Sequence, residues 1–329
     1  MQIREAQYRA VLGVNKEQII LFWSIGKVIA ANTKYGNKFI ENLARDISEE
    51  FPDTKGFSAR NLKYMHKFAE VYGDSQKVPT VLALLSWSHN RLLLDKVKDP
   101  DEAFWYAEKT VQNGWSLSIL EHQIETKLYE RQAMADKTTN YSDMLPHPQS
   151  GLAQETIKSP YVFDFIEKRN GIIEREIENE MVASIAKTLL ELGRGFAFVG
   201  NQYHLEVGGN DYYLDLLFYN TELRCYFVIE IKAGKFIPEF AGKLNFYLSV
   251  VDDTLRHETD NPSIGILLCK EKNKLIAEYA LKDMTKPIGV SEYKLSDYVP
   301  EELADTLPSV EDIERRIRMR MDINEGGER

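Results

Sequence analysis

Asp215, Glu230 and Lys232 are the residues whose types and spacing could do chemistry. They lie in two largely apolar runs, Asp211-Tyr-Tyr-Leu-Asp215-Leu-Leu-Phe-Tyr219 and Cys225-Tyr-Phe-Val-Ile-Glu230-Ile-Lys232. Both runs read as strands, joined by a short turn around Asn220-Thr221-Glu222. Charged groups are seldom buried in a sheet unless they are paired or bind metal. Side chains alternate along a strand, so Glu230 and Lys232 share one face while Phe227, Ile229 and Ile231 take the other. The same rule groups Asp215 with Tyr213, Leu217 and Tyr219, against Leu214, Leu216 and Phe218. A tight hairpin sets Asp215 beside Glu230. Two carboxylates and an ammonium then converge, as they must to hold a divalent cation against a reacting phosphate. The competing reading is a buried ion-pair group that only fixes register. Such groups stabilise weakly, which favours a site. Glu-x-Lys alone is common: Glu125-Thr-Lys127 and Glu292-Tyr-Lys294 repeat it, but neither has a strand-borne Asp just upstream.

In that context Asp215…Glu230-Ile-Lys232 resembles the PD-(D/E)XK nuclease signature. Further segments carry the resemblance: 190–200, 211–219, 228–236, Asn261-Pro-Ser-Ile-Gly-Ile-Leu-Leu-Cys-Lys270 and Thr285-Lys-Pro-Ile-Gly-Val290. They span most of residues 160–300 and narrow it to the YhcG-type PDDEXK nucleases. Trp23-Ser-Ile-Gly26 and Gly56-Phe-Ser-Ala-Arg-Asn-Leu62 resemble the helical domain that precedes the nuclease in that family. The resemblance implies an α/β chain, with an N-terminal all-α domain followed by a restriction-endonuclease-like mixed-sheet core. It also implies a Mg²⁺-dependent nuclease, a phosphodiester hydrolase acting on DNA, with Mn²⁺ able to substitute.

Oxygen ligands suit a hard cation that keeps several waters. Asp215, Glu230 and the backbone carbonyl of Ile231 are therefore the expected metal ligands, and Asp215, Glu230 and Lys232 the catalytic set. Lys232 would orient the attacking water or neutralise charge growing on the phosphate oxygens. In the resembled superfamily a further acid often comes from the first core helix. Glu178 matches that place best, with Glu174 and Glu180 as neighbours. Lys243 and Tyr247, four apart on the following helix, are expected to meet the nucleic-acid backbone; Gln202 is a lesser candidate. A second class stays open: a catalytically silent nucleic-acid-binding or assembly protein that retains a nuclease-like core. The intact Asp, Glu and Lys favour turnover.

The elements that position these residues follow from periodicity. Apolar residues recur at helical spacing over Glu17–Ala31, Phe39–Phe51 and Ser58–Tyr72, and further helices are expected at Val81–Leu94, Asp101–Gln112 and Leu117–Arg131. Ser58 reads as an N-cap and Gly73 as a stop. Arg60, Lys63 and Lys67 line the outer side of the third helix, so the second and third could form a helix-turn-helix gripping phosphates; the alternative is an assembly module that builds a homo-oligomer. Domains are expected at 1–135 (helical), 136–158 (linker), 159–305 (nuclease) and 306–329 (a charged helix and a disordered tail). In the third, a helix at Glu174–Gly193 precedes strands at Phe196–Val207, Tyr212–Tyr219 and Cys225–Lys232. Then come a helix at Pro238–Val251, a strand at Ser263–Cys269, a helix at Lys272–Leu281 and a strand at Ile288–Tyr293.

Bulk properties narrow the class. The chain has 329 residues, 43% hydrophobic and 28% charged, which excludes a disordered protein and makes two domains the default. Cys225 and Cys269 sit in apolar strand-like runs, so they read as packed thiols rather than a disulfide or a metal knuckle. No leader or membrane-length apolar run is evident, and a cytoplasmic location is expected. Residues 1–150 carry 19 basic and 19 acidic side chains, and the remainder 22 and 32. The surplus negative charge thus lies wholly with the nuclease-like half. Local basic groups and a bound cation must offset it there, and the helical half is expected to do most of the phosphate gripping.

Overall fold

The computed structural model describes residues 2–32, 37–73, 78, 80–169 and 171–296. The chain divides into two compact units, residues 1–134 and 135–329. The first is helical: α1 (Gln2–Ala31), α2 (Asn37–Glu50), α3 (Ala59–Tyr72), α4 (Trp87–Lys96), α5 (Pro100–Asn113) and α6 (Leu117–Glu125). Polar side chains satisfy the open first-turn N–H groups of the later helices. Ser58 Oγ accepts from Asn61 N–H at 3.3 Å, Ser86 Oγ from His89 N–H at 3.4 Å, and Asp99 Oδ1 from Asp101 N–H at 2.8 Å. The helix expected over Val81–Leu94 is therefore broken: Leu82–Leu84 form a 3₁₀ turn, and Ser86, in extended backbone, caps a fresh start at Trp87. The helix expected to reach Arg131 stops at Glu125, because Lys127 takes a left-handed φ of +55°.

The connection from α2 to α3 spans residues 51–58. That is longer than the turn of about 3–4 residues in a helix-turn-helix, so the pair lacks that motif's geometry. Pro52 and Gly56, the latter at φ +102°, carry the chain around. Leu62, Met65, Ala69 and Tyr72 face inward, as their spacing predicts. α1 approaches α3 so closely that a Cβ on Gly26 would collide with the Met65 carbonyl oxygen. Backbone cannot yield as a flexible side chain can. Gly26→Ala is expected to cost about 3 kcal/mol, read as a lower urea midpoint; an unchanged midpoint would contradict this helix contact.

The second unit contains β1 (Thr138–Thr139), α7 (Tyr141–Met144), α8 (Gln149–Thr156), β2 (Tyr161–Glu167), α9 (Glu174–Ala183) and α10 (Ile185–Leu192). It continues with β3 (Phe196–Val207), β4 (Asn210–Asn220), β5 (Cys225–Lys235), α11 (Pro238–Thr254), β6 (Ile264–Glu271), α12 (Lys274–Lys282) and β7 (Ile288–Ser296). The strands form a mixed sheet in the order β1-β7-β6-β5-β4-β3, with β2 also on β7. β3, β4 and β5 are an antiparallel meander, whereas β5–β6 and β6–β7 are parallel. This is the expected α/β core of mixed sheet behind an all-α region. One face packs Ile229, Ile231, Ile266 and Leu268 with Ile177 and Met181 of α9 and Leu192 of α10. The other packs Val228, Leu267 and Val290 with Ala241, Leu244 and Leu248 of α11. Cys225 and Cys269 are free and buried in different cores, and burial pushes both thiols up to about 12.

Residues 136–158, expected as a linker, are part of this fold. β1 pairs with β7, and Asn140 Oδ1 accepts the Ile288 N–H at 2.7 Å. Tyr141, Leu145, Ala153 and Ile157 are buried in the first core. The segment looks like a linker because its polar groups pair with a distant strand, which local composition cannot register. The charged helix expected near 311–321 and the tail after it lie outside the described residues. No helix among the described residues is long and apolar enough to cross a membrane.

Candidate active site

The β4–β5 register pairs Leu216 with Ile229, so the next step of the ribbon sets Asp215 beside Glu230. Here side chains replace the ladder. Asp215 Oδ2 accepts the Ile231 N–H at 2.8 Å, and the Asp215 N–H donates to Glu230 Oε1 at 3.4 Å. The strict alternation expected along β4 fails at this point. Leu214 and Leu217 lie in the core under α11, while Leu216 and Phe218 lie in the core under α9. The pleat therefore changes phase at Asp215. On β3 the residue in the facing register position, Gln202, has a φ of +45°. A non-glycine residue in the left-handed region is strained backbone of the kind that gathers at functional sites.

Lys232 lies among oxygens. Its Nζ is 2.8 Å from the Ile231 carbonyl oxygen, 3.3 Å from Glu174 Oε2, 3.4 Å from Glu230 Oε2 and 3.9 Å from Asp215 Oδ2. A second ammonium, Lys243 on α11, sits 3.3 Å from the same Glu230 Oε2. Glu230 is 1% exposed, so its charge depends on these partners. Burial raises the Asp215 carboxyl above its ordinary range, against the Ile231 N–H and the two lysines, which pull it down. Burial likewise raises Glu230, and the Asp215 charge adds to it. For Lys243, burial works downward, but Glu230 and Tyr247 prevail and hold it above its ordinary value.

The oxygen set fits a hard divalent cation. Two carboxylates and a backbone carbonyl converge where an ammonium now sits, and all three are hard oxygen donors. Among the described residues, no three His, Cys, Asp or Glu side chains cluster as a metal cage.

The structure redistributes the helix glutamates. Glu174 is the one in contact with the group: besides Lys232, its Oε1 accepts the Ala233 N–H at 3.2 Å. Glu178, favoured from sequence, is buried and held by Gln202 Nε2 at 2.6 Å and Asn201 Nδ2 at 3.1 Å. Glu180 turns away to Arg169 at 3.0 Å. Tyr247 is only 3% exposed, and its ring lies 5.0 Å from the Lys243 ammonium and supports it. Sequence reasoning placed Lys243 as a backbone contact but missed its pairing with Glu230. In the helical unit, Arg60 and Lys63 are exposed on α3, whereas Lys67 already donates to the Leu94 carbonyl at 2.7 Å and pairs with Asp95 at 3.3 Å.

Comparison with known proteins fits this geometry. Residues 154–308 match the family described as YhcG PDDEXK nuclease domain, and residues 1–131 match the DUF1016 N-terminal domain. The Escherichia coli (strain K12) protein named "Putative nuclease YhcG" is 31% identical across 93% of this chain and 90% of its own length. The chain belongs to the YhcG family of PDDEXK nucleases. Asp215, Glu230 and Lys232 all fall inside the matched nuclease domain, and Arg60, Lys63 and Lys67 inside the matched N-terminal one. Among solved structures, one described as "Structure of EndoMS-dsDNA2 complex" is similar over 39% of this chain, with 16% identity and a TM-score of 0.27. The chain spans 46% of that protein's length. So slight a likeness carries no argument about substrate.

Proposed function

We propose that this chain is a divalent-metal-dependent nuclease that hydrolyses phosphodiester bonds in DNA, with Mg²⁺ as the working ion and Mn²⁺ as a substitute. The observation that carries this reading is the convergence of Asp215, Glu230 and the Ile231 carbonyl on one cation position, with Lys232 at hand. When bound, the ion would polarise the scissile phosphate and ease deprotonation of water. Asp215 and Glu230 would hold it. The Ile231 N–H and the Asp215 N–H fix the two carboxylates against one another, so little reorganisation is needed. Lys232, displaced from its present place among the oxygens, would then neutralise charge growing on the phosphate or orient the attacking water. Glu174 would hold that ammonium near the reacting centre, and Lys243 would meet a neighbouring phosphate. DNA is the substrate that the family resemblance implies. Cleavage of matched DNA and RNA oligonucleotides side by side, in Mg²⁺ and in EDTA, tests the assignment: DNA is expected to be cut in Mg²⁺ alone, and equal or faster loss of RNA would overturn it.

The helical unit is read as the part that grips phosphates, because the surplus negative charge lies in the other half. Arg60 and Lys63 are the groups to test, since Lys67 is engaged with the end of α4. Replacing Arg60 and Lys63 with Gln is expected to weaken duplex binding and to flatten log affinity against log salt by about 0.9 unit per lost contact. An unchanged salt slope would make α3 an ordinary bundle face and favour the assembly reading of this unit.

A further inference from the structure

We propose that the flank of α11 beside the cation site is a base-stacking platform, built on Phe246 and Tyr212, that favours nucleic acid whose bases next to the scissile bond are unpaired. The proposal rests on the nuclease reading above and names the form of substrate it takes. Phe246 is 36% exposed and lies three residues beyond Lys243, on the same side of α11. A large apolar ring has nothing to offer a phosphate, yet it stands beside the cation that pairs with Glu230.

The ring is held in place from beneath. Tyr212, on β4 three residues before Asp215, meets it edge-on with centroids 5.0 Å apart. Tyr247 lies 6.0 Å from Phe246 and 6.3 Å from Tyr212, closing a three-ring cluster. Tyr247 is also the ring 5.0 Å from the Lys243 ammonium, which is 3.3 Å from Glu230. Glu230, Lys243, Tyr247, Phe246 and Tyr212 thus form a continuous line running from the cation site along the helix over β4. At Gly242, next to Lys243, the helix is open outward, for a Cβ there would meet nothing beyond its own stretch of α11. A strand with its phosphate at the cation site and the adjoining phosphate on Lys243 would bring the face of a base to the part-exposed ring of Phe246. In a duplex that face of the base is covered by its stacked neighbour. An unpaired base can offer it, and every base has such a face, so the preference would be for strand form rather than for sequence.

Simple rim packing would ask only for an apolar side chain, which sets the test. Phe246→Leu keeps the apolar contact with Tyr212 and Tyr247 but removes the aromatic face; Phe246→Trp keeps it. For the full-length protein, the ratio of kcat/KM on single-stranded to duplex DNA is expected to fall about tenfold or more in the Leu variant and to be retained in the Trp variant. A second readout needs no cleavage: in EDTA, a single-stranded oligonucleotide carrying 2-aminopurine should lose fluorescence on binding wild-type and Phe246→Trp protein, and keep it with Phe246→Leu. Equal ratios and equal quenching in wild-type and Leu variant would overturn the platform while leaving the nuclease reading intact. Quenching by a wild-type protein that cuts nothing would overturn the nuclease reading and leave the platform standing.

Discussion

Lys232→Met should cut turnover about 10²–10³-fold without abolishing metal binding, and Glu230→Gln should abolish both. Lys232 Nζ sits among the Ile231 carbonyl and the Glu174, Glu230 and Asp215 carboxylates, where a divalent ion would compete with it. Removing the ammonium frees those oxygens, so the rise in melting temperature produced by Mg²⁺ should persist or grow. The chemical step loses a preorganised positive charge, and kcat is expected to fall about 10²–10³-fold. Glu230→Gln removes a ligand charge, and should lose the metal-induced rise together with cleavage. Both variants should fold. Lys243 remains 3.3 Å from Glu230 Oε2 in the first, so that buried carboxylate keeps a partner. In the second, a neutral side chain replaces a buried carboxylate that crowds Asp215. Full cleavage by Lys232→Met would remove Lys232 from the chemistry and leave its place among the oxygens purely structural.

The second large effect is a pH dependence that reverses with metal. Burial raises the titration of Asp215 and Glu230, so both carboxyls bind protons more tightly folded than unfolded. Their contribution to stability is complete below the ordinary carboxylate pKa of about 4. It is lost as pH rises through the raised values. Metal-free protein should therefore lose stability from this source as pH climbs. A divalent cation binds the deprotonated pair, so its stabilisation runs the other way. At about a hundredfold excess over Kd it would reach about 2.7 kcal/mol above those raised values, and shrink in acid. Melting curves in EDTA and in Mg²⁺, taken from acid to mildly alkaline pH, measure this directly. The gap between them should widen with pH in wild-type protein and stay closed in Glu230→Gln. A gap independent of pH would place the metal elsewhere.

How far the sequence reached depends on the range of the signal. Asp215, Glu230 and Lys232 stand out because charges interrupt apolar strands of period two, and the connection between the two strands is short, residues 221–224. Local periodicity gave the strands and helices of the second unit as an α/β or α+β set, and their order as a meander followed by helix and strand is what the family resemblance implied. Glu174 could not be told from Glu178 or Glu180, since glutamates crowd one helix and contact depends on where α9 lands against the end of β5. The break in alternation at Asp215 was hidden for a related reason. It belongs to the paired ribbon, with Gln202 opposite, and not to β4 alone. Tyr247 read as a partner of the nucleic-acid backbone beside Lys243, because four-residue spacing gives a helix face but not its burial. The segment 136–158 read as a linker because its partners on β7 are some 150 residues away, on the order of a whole domain in sequence.

The proposed holding of a divalent ion by Asp215 and Glu230 for DNA cleavage is tested most directly by assaying wild-type protein and Glu230→Gln, purified in parallel through identical steps. The substrates are end-labelled single-stranded and duplex DNA across a Mg²⁺ titration. Cleavage that rises with Mg²⁺, stops in EDTA and is absent from the Glu230→Gln preparation is the expected result. Equal cleavage by both preparations, or none by wild-type protein in either Mg²⁺ or Mn²⁺, would contradict it.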